Sequence, residues 1–308
     1  MEYRDFGRTG LRVSEIGLGC GPLGADPNYD YAPLLNRALE LGVNFFDSAD
    51  FYGGYRSEEW LGKALSPHRD EVIIATKFGT IPGKGKDFSV GHMRKSLEES
   101  LDRLRTDYID VYQLHSPAAS VLDDEELLAA LQREKREGKI RYYGVSTDGG
   151  QRGIDVIDRW NVDSIQIAFN LFHQNPAERF FDYAKSKGVG VIVKSPLDSG
   201  MLGGDLDPGK PTKLDDPRER WGEEETARRQ QFFDEVKFLA EQTGRTYSQA
   251  ALQFVLAFDG VSTAIPGTTS IEHLEENVAA AGGTLTPEEI QRIRNLRGGE
   301  FAKLNLEW

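Results

Sequence analysis

Val72-Ile73-Ile74-Ala75-Thr76-Lys77 is apolar and β-branched with no polar alternation until it ends on a cation. A strand with one wet face would alternate. A run that is apolar on both faces belongs in a parallel sheet covered by helices. Seven further runs share this character: Ile16 to Gly19, Val43 to Asp47, Tyr108 to His115, Ile140 to Ser146, Ser164 to Phe169, Val189 to Lys194 and Val261 to Ile265. Segments of helical period separate them. Val90, Met93, Leu97, Leu101 and Leu104 recur at three- and four-residue steps, as one face of an amphipathic helix requires. Asp123 with Glu126 fits a capping box, and Thr286-Pro287-Glu288-Glu289 adds proline at the first helical position. Eight such units joined by right-handed crossovers close into an α/β fold, the (β/α)8 TIM barrel, with its reactive groups at the carboxyl ends of the strands.

The long interruption falls between the seventh and eighth runs. Ser199 to Gly222 is rich in Gly, Pro and Asp and precedes helical segments over about Glu223 to Gln242 and Tyr247 to Phe258. It reads as a loop and helix insertion at the barrel mouth. No stretch has the composition of an interdomain linker, so residues 1–308 are expected to form a single barrel domain.

A net charge of −13 opposes binding to phosphate backbones and anionic membrane surfaces. No apolar stretch reaches the ~18 residues of a membrane span, and Met1-Glu2-Tyr3-Arg4-Asp5 lacks the basic and apolar regions of a signal peptide. The expected setting is the cytoplasm. Cys20, the only cysteine, rules out an intrachain disulfide and a thiolate metal cluster. The five histidines show no metal-ligand spacing.

Four titratable residues fall at or just after strand ends: Asp47, Tyr52, Lys77 and His115. Taken singly, each has an ordinary structural reading as a turn former, packing residue, surface base or core histidine. Taken in order on successive strands they make a catalytic set. A lysine ending a buried strand needs a compensating partner, and Asp47 is available. A tyrosine beside that lysine is expected to have its pKa lowered from about 10, which suits a proton donor to a developing alkoxide. A neutral histidine alongside would hydrogen-bond and orient a carbonyl oxygen.

The stretches Asn44-Phe45-Phe46-Asp47-Ser48-Ala49-Asp50-Phe51-Tyr52-Gly53, Ala75-Thr76-Lys77-Phe78-Gly79 and Tyr108-Ile109-Asp110-Val111-Tyr112-Gln113-Leu114-His115 together resemble the aldo-keto reductase family. The resemblance spans essentially the whole chain. It implies metal-free, NADPH- or NADH-linked reduction of aldehydes or ketones, or the reverse oxidation of alcohols, with NADPH the favoured coenzyme. It assigns Tyr52 as general acid, Lys77 as its pKa modifier, Asp47 as the lysine's partner and His115 as the carbonyl-orienting donor.

By the same resemblance, Ser146 and Gln166 hydrogen-bond the nicotinamide carboxamide, while Ser195 and Leu197 follow the cofactor. Two departures stand here. Thr147 occupies a common asparagine position, and Lys194 stands where an aromatic residue often stacks on the nicotinamide. The stretch from Ile265 to Asn277 matches the family's adenosine-phosphate segment. Thr268 is placed for a phosphate oxygen, and Glu276 and Asn277 for adenine. Gly267 and His273 replace the lysine and arginine of many NADPH-preferring members, so His273, or Arg218 and Arg220 of the insertion, would have to supply the positive charge. Helix capping alone also accounts for Thr268 and Asn277. Phe51, Tyr55, Phe78 and Phe172 are possible apolar walls for a small-molecule carbonyl or alcohol substrate, with Asn170 and His173 as polar additions.

Two other readings compete. Gly19-Cys20-Gly21-Pro22-Leu23-Gly24 matches the Rossmann dehydrogenase fingerprint, but Pro27 and Asn28 follow where that motif needs a helix to open. A nonenzymatic, cofactor-binding regulatory barrel is the other, because parts of the chain resemble the potassium-channel β-subunit branch of the family.

Overall fold

The structure is a computed structural model that describes residues 1–203, 222–241, 243–299 and 301. The chain begins with a short antiparallel hairpin, β1 (Tyr3–Asp5) and β2 (Arg12–Ser14), that the hydrophobic pattern does not announce. Tyr3-Arg4-Asp5 is polar on both faces, and the hairpin acts as a plug. Phe6, Leu11 and Val13 pack with Phe45, Ile73, Val111, Ile192 and Ile265 in an inner core closing the amino-terminal end of the barrel.

The barrel strands follow in chain order. They are β3 (Leu18–Gly19), β4 (Phe45–Asp47) and β5 (Ile73–Phe78), then, after a small hairpin β6 (Thr80–Ile81) and β7 (Gly85–Lys86), β8 (Ile109–His115), β9 (Ile140–Thr147), β10 (Ser164–Ala168), β11 (Gly190–Lys194) and β12 (Thr263–Ala264). Each of the eight runs expected from the sequence coincides with one of these strands, six containing it whole and two, at β5 and β9, ending one residue before it. They form one parallel sheet in sequence order. Parallel bridges from Ile16 to Ala264 and from Gly19 to Gly267 join its two edges, so the (β/α)8 barrel closes. At that seam Gly17 N donates to Ala264 O at 2.8 Å, and Gly19 N donates to Pro266 O at 3.1 Å. A Cβ on Gly19 would lie 2.7 Å from Ile265 O, so only glycine allows the strands this close.

The helices are α1 (Ala32–Glu40), α2 (Arg56–Leu65), α3 (Val90–Leu104), α4 (Glu125–Arg136), α5 (Gly150–Trp160), α6 (Pro176–Ser186), α7 (Glu223–Val236), α8 (Phe238–Glu241), α9 (Tyr247–Leu256), α10 (Ile271–Val278) and α11 (Pro287–Gly298). Helix α3 buries Met93, Leu97, Leu101 and Leu104, as its period requires. The box at Thr286 and Glu289 forms in full. The start of α4 is one residue later than expected. Asp124, not Asp123, is the cap and accepts from Leu127 N at 2.9 Å, because a 3-10 turn over Ala119–Asp123 takes up the earlier residue. After Gly24 the chain stays in turns until α1, so no helix opens from the glycine turn as a dinucleotide fingerprint needs.

Between β11 and β12 lie a 3-10 turn (Asp198–Gly203), α7, α8 and α9. Arg229 of α7 forms a buried ion pair with Asp198, which ties that helix to the loop after β11. Arg218, Arg220 and Gln242 lie outside the described residues. Among the described residues no helix is long and apolar enough to cross a membrane.

Candidate active site

Parallel register brings Asp47, Lys77 and His115 to one end of the barrel, and Tyr52 joins them from the loop after β4. Asp47 ends β4, Lys77 lies opposite Gln113 of β8, and His115 lies opposite Ser146 of β9. Lys77 is fully buried and Asp47 nearly so. Lys77 Nζ donates to Asp47 Oδ1 at 2.5 Å and to Ser48 O at 2.7 Å. The second carboxylate oxygen of Asp47 accepts from Gln166 Nε2 at 2.7 Å and from Gln113 Nε2 at 3.2 Å. Gln113 was not singled out from the sequence. The available signal was its period-two spacing from Val111 and His115 along β8.

These contacts decide which groups carry charge. Burial pushes the Lys77 ammonium down, but Asp47, with Tyr52 behind it, outweighs burial and leaves its pKa above the ordinary value. Lys77 Nζ sits 5.2 Å from the Tyr52 ring centroid. It lowers the phenol's pKa as expected, yet the net direction is the opposite. Burial raises it first, Asp47 and Asp50 add to that, and Tyr52 ends above 10. Desolvation, which acts only once the barrel closes, outweighs the cation. Tyr52 is therefore held as the proton-bearing phenol. The Cys20 thiol beneath the site is likewise kept protonated by burial and by Asp47.

His115 stacks on Phe51 at 5.5 Å and meets Tyr52 edge-on at 5.8 Å. Its pKa is pushed down to about 2 by burial, then by Lys77, Lys86 and Lys194, so the ring is neutral. Its Nδ1 is buried without a partner. The tautomer protonated on Nε2 therefore leaves no buried N–H unsatisfied. Lys86, from the β6–β7 hairpin, donates to His115 O at 2.8 Å and to Thr80 Oγ1 at 2.6 Å.

The expected cofactor residues fall into two groups. At the mouth, Ser146 Oγ and Gln166 Oε1 are 3.3 Å apart, and Lys194 Nζ lies 3.5 Å from Ser146 Oγ and 2.9 Å from Asp148 Oδ1. Ser195 has φ +52° and its carbonyl accepts from Asn170 Nδ2 at 2.9 Å, while Leu197 O accepts from Gly200 N at 2.9 Å. Beyond the seam, Gly267 leads into α10. There Thr268 Oγ1 accepts from Ser270 N at 3.0 Å, and Ser270 caps the helix by accepting from His273 N at 3.2 Å. His273 is exposed, Glu276 half-buried and Asn277 buried.

The substrate walls need correcting. Phe51 borders the site through its stack on His115, and Tyr55 is exposed beside it. Phe78 and Phe172 are completely buried instead. Phe78 stacks on Tyr112 at 4.9 Å, and Phe172 packs on Phe232 at 5.2 Å, so both belong to the core. Asn170 is also committed to scaffolding. Its Oδ1 accepts from Phe172 N and His173 N at 2.9 and 2.8 Å while its amide holds the Ser195 loop. His173 is nearly buried, with its pKa pushed down to about 4 by burial and then by Arg297.

The model of the Aldo/keto reductase family matches residues 15–297. An uncharacterized oxidoreductase of Bacillus subtilis is 33% identical over 303 residues, covering 96% of each chain. L-galactose dehydrogenase of Arabidopsis thaliana is 35% identical, over 91% of this chain and 88% of that one. The holo form of the aldo-keto reductase AKR11C1 from Bacillus halodurans superimposes with a TM-score of 0.81 at 32% identity, over 96% of each chain.

Proposed function

The chain belongs to the aldo/keto reductase family, and from that premise we propose that Tyr52, Lys77, Asp47 and His115 form its catalytic set. The protein is an NAD(P)-dependent oxidoreductase that reduces aldehydes or ketones, or runs the reverse oxidation. The observation that carries the residue assignment is a fully buried ammonium clamped by Asp47 beneath a proton-bearing phenol, next to a neutral imidazole.

The residues at the mouth fit a nicotinamide dinucleotide. The chain is open at Gly21 beside the phenol, where a Cβ would meet only Tyr52 Cε2 within 4 Å, at 3.8 Å. Thr147 Oγ1 is buried without a partner directly after Ser146. In this reading Ser146 and Gln166 take the carboxamide, Ser195 and Leu197 flank the coenzyme, and Thr268, Glu276 and Asn277 take its adenosine end. Coenzyme choice at this end would turn on His273, exposed at the start of α10, as the described residue able to meet a 2′-phosphate.

When bound, the nicotinamide supplies hydride to the carbonyl carbon. His115 Nε2–H orients the carbonyl oxygen. Tyr52 gives that oxygen its proton, and Lys77 stabilises the phenolate left behind. Asp47 keeps Lys77 charged while its second oxygen orders Gln166 and Gln113. Closure of the barrel between Ile16 and Ala264 supports reading residues 1–308 as one domain.

Fluorescence titration with NADPH and NADH, followed by absorbance assays on small aldehydes, ketones and sugars, tests this. Tyr52→Phe should leave coenzyme affinity nearly intact and cut turnover by about a hundredfold or more. Turnover at the wild-type rate would remove Tyr52 from the role of general acid.

A further inference from the structure

A hydrogen-bonded row crosses the mouth and ends on a cation that the reaction above does not use. From Lys77 it runs through Asp47 to Gln166 at 2.7 Å, on to Ser146 at 3.3 Å, and from Ser146 Oγ to Lys194 Nζ at 3.5 Å. Asp148 holds that ammonium at 2.9 Å. The two partners differ in their exposure to water: the Lys194 side chain is 23% exposed and that of Asp148 is 45% exposed. Toward His115 and Lys86, on the side of the catalytic set, the ammonium outweighs its counter-ion, whereas toward His173 the carboxylate outweighs it, so the pair's positive side faces the candidate active site.

We propose that Lys194 selects the redox state of the coenzyme: its ammonium, fixed beside Ser146 by Asp148, disfavours the cationic oxidised nicotinamide relative to the neutral reduced ring. The proposal rests on the reading that Ser146 and Gln166 hold the carboxamide. The two coenzyme forms share every phosphate and ribose and differ by one positive charge on the ring. A cation 3.5 Å from the hydroxyl that anchors the ring's amide acts on that difference and leaves the common contacts alone. The neighbouring strand carries the same sign of field, since Lys77, Lys86 and Lys194 all oppose protonation of His115. A site biased in this way loads the hydride donor and releases the oxidised form, which favours carbonyl reduction.

The test is a set of dissociation constants, measured without turnover by titrating the full-length protein with NADP+ and NADPH. Lys194→Met should tighten NADP+ by about five- to tenfold, the effect of a partly screened charge offset by its counter-ion, with NADPH changed by less than about twofold. Lys194→Arg keeps the charge and should keep the wild-type ratio. On the wild-type protein, added salt should shrink the ratio of the two constants, because phosphate screening is common to both and cancels. A Lys194→Met protein that shifts both forms equally, or neither, would overturn the proposal while leaving the reductase reading standing. Failure of the wild-type protein to bind either form would overturn the underlying site reading instead.

Discussion

Replacing Lys77 by methionine removes the ammonium from beneath the site while keeping most of the volume of its stem. Asp47 then remains 3% exposed with only the Gln166 and Gln113 amides, at 2.7 and 3.2 Å, to compensate its charge. Breaking one side of a buried ion pair costs about 3–5 kcal/mol because the other side stays buried and uncompensated. Two surviving amide donors put Lys77→Met near the lower end, about 3 kcal/mol. Asp47→Asn should cost a similar amount, since the buried Lys77 ammonium would lose its counter-charge and the asparagine amide N–H would face the Gln166 and Gln113 donors. The double variant carries no buried charge and should fall within about 2 kcal/mol of wild type, giving a coupling energy of roughly 3 kcal/mol or more. Urea unfolding of the four proteins at pH 7 measures this. Single variants costing under about 1 kcal/mol, or strictly additive effects, would refute the argument that the pair is mutually compensating.

Three further outcomes rest on other buried contacts of the barrel. Burial lifts the Asp50 carboxyl from 3.8 to about 6, with Glu58 adding to it and a hydrogen bond from Ser96 opposing it. The folded state then holds the extra proton, so stability falls as pH rises through that range. Asp50→Asn should gain up to about 3 kcal/mol at pH 8 and nothing below about pH 4, and equal effects at both pH values in urea titrations would contradict this. His115 runs the other way, because its folded pKa is depressed. Its contribution is full above 6.5 and is lost as pH falls, so between about pH 6.5 and 4.5 wild type should lose about 2–3 kcal/mol more than His115→Gln; parallel stability curves would sink the claim of a neutral buried ring. Gly19→Ala forces a Cβ to within 2.7 Å of Ile265 O at the barrel seam and should cost about 2 kcal/mol or more. An unchanged urea midpoint would mean that the seam is looser than its hydrogen bonds indicate.

Much of the candidate site was readable along the chain because its residues sit at strand ends, and strand ends are marked by local pattern. Asp47, Lys77 and His115 each close an apolar run, and parallel register at the carboxyl ends of adjacent strands then brings them together. The aromatic neighbours were not readable in that way. Phe51 and Phe78 look alike in sequence, yet Phe51 borders the site while Phe78 stacks on Tyr112 in the core. Phe51 lies in the turn after β4 and Phe78 ends β5, and which of them faces the mouth is set by the backbone path there, not by local pattern. The amino-terminal plug was missed because β1 carries no apolar face of its own; what it buries is the Phe6 to Val13 stretch beside it.

Periodicity and composition were sufficient for the eight barrel strands and their order, since both follow from burial imposed residue by residue on a covered parallel sheet. Electrostatic outcomes lay beyond them. The net rise in the Tyr52 pKa, the role of Gln113 behind Asp47, and the pairing of Lys194 with Asp148 beside Ser146 all depend on groups distant in sequence. Desolvation and charge act through space with strengths set by separations of a few ångströms, and only closure of the barrel establishes those separations.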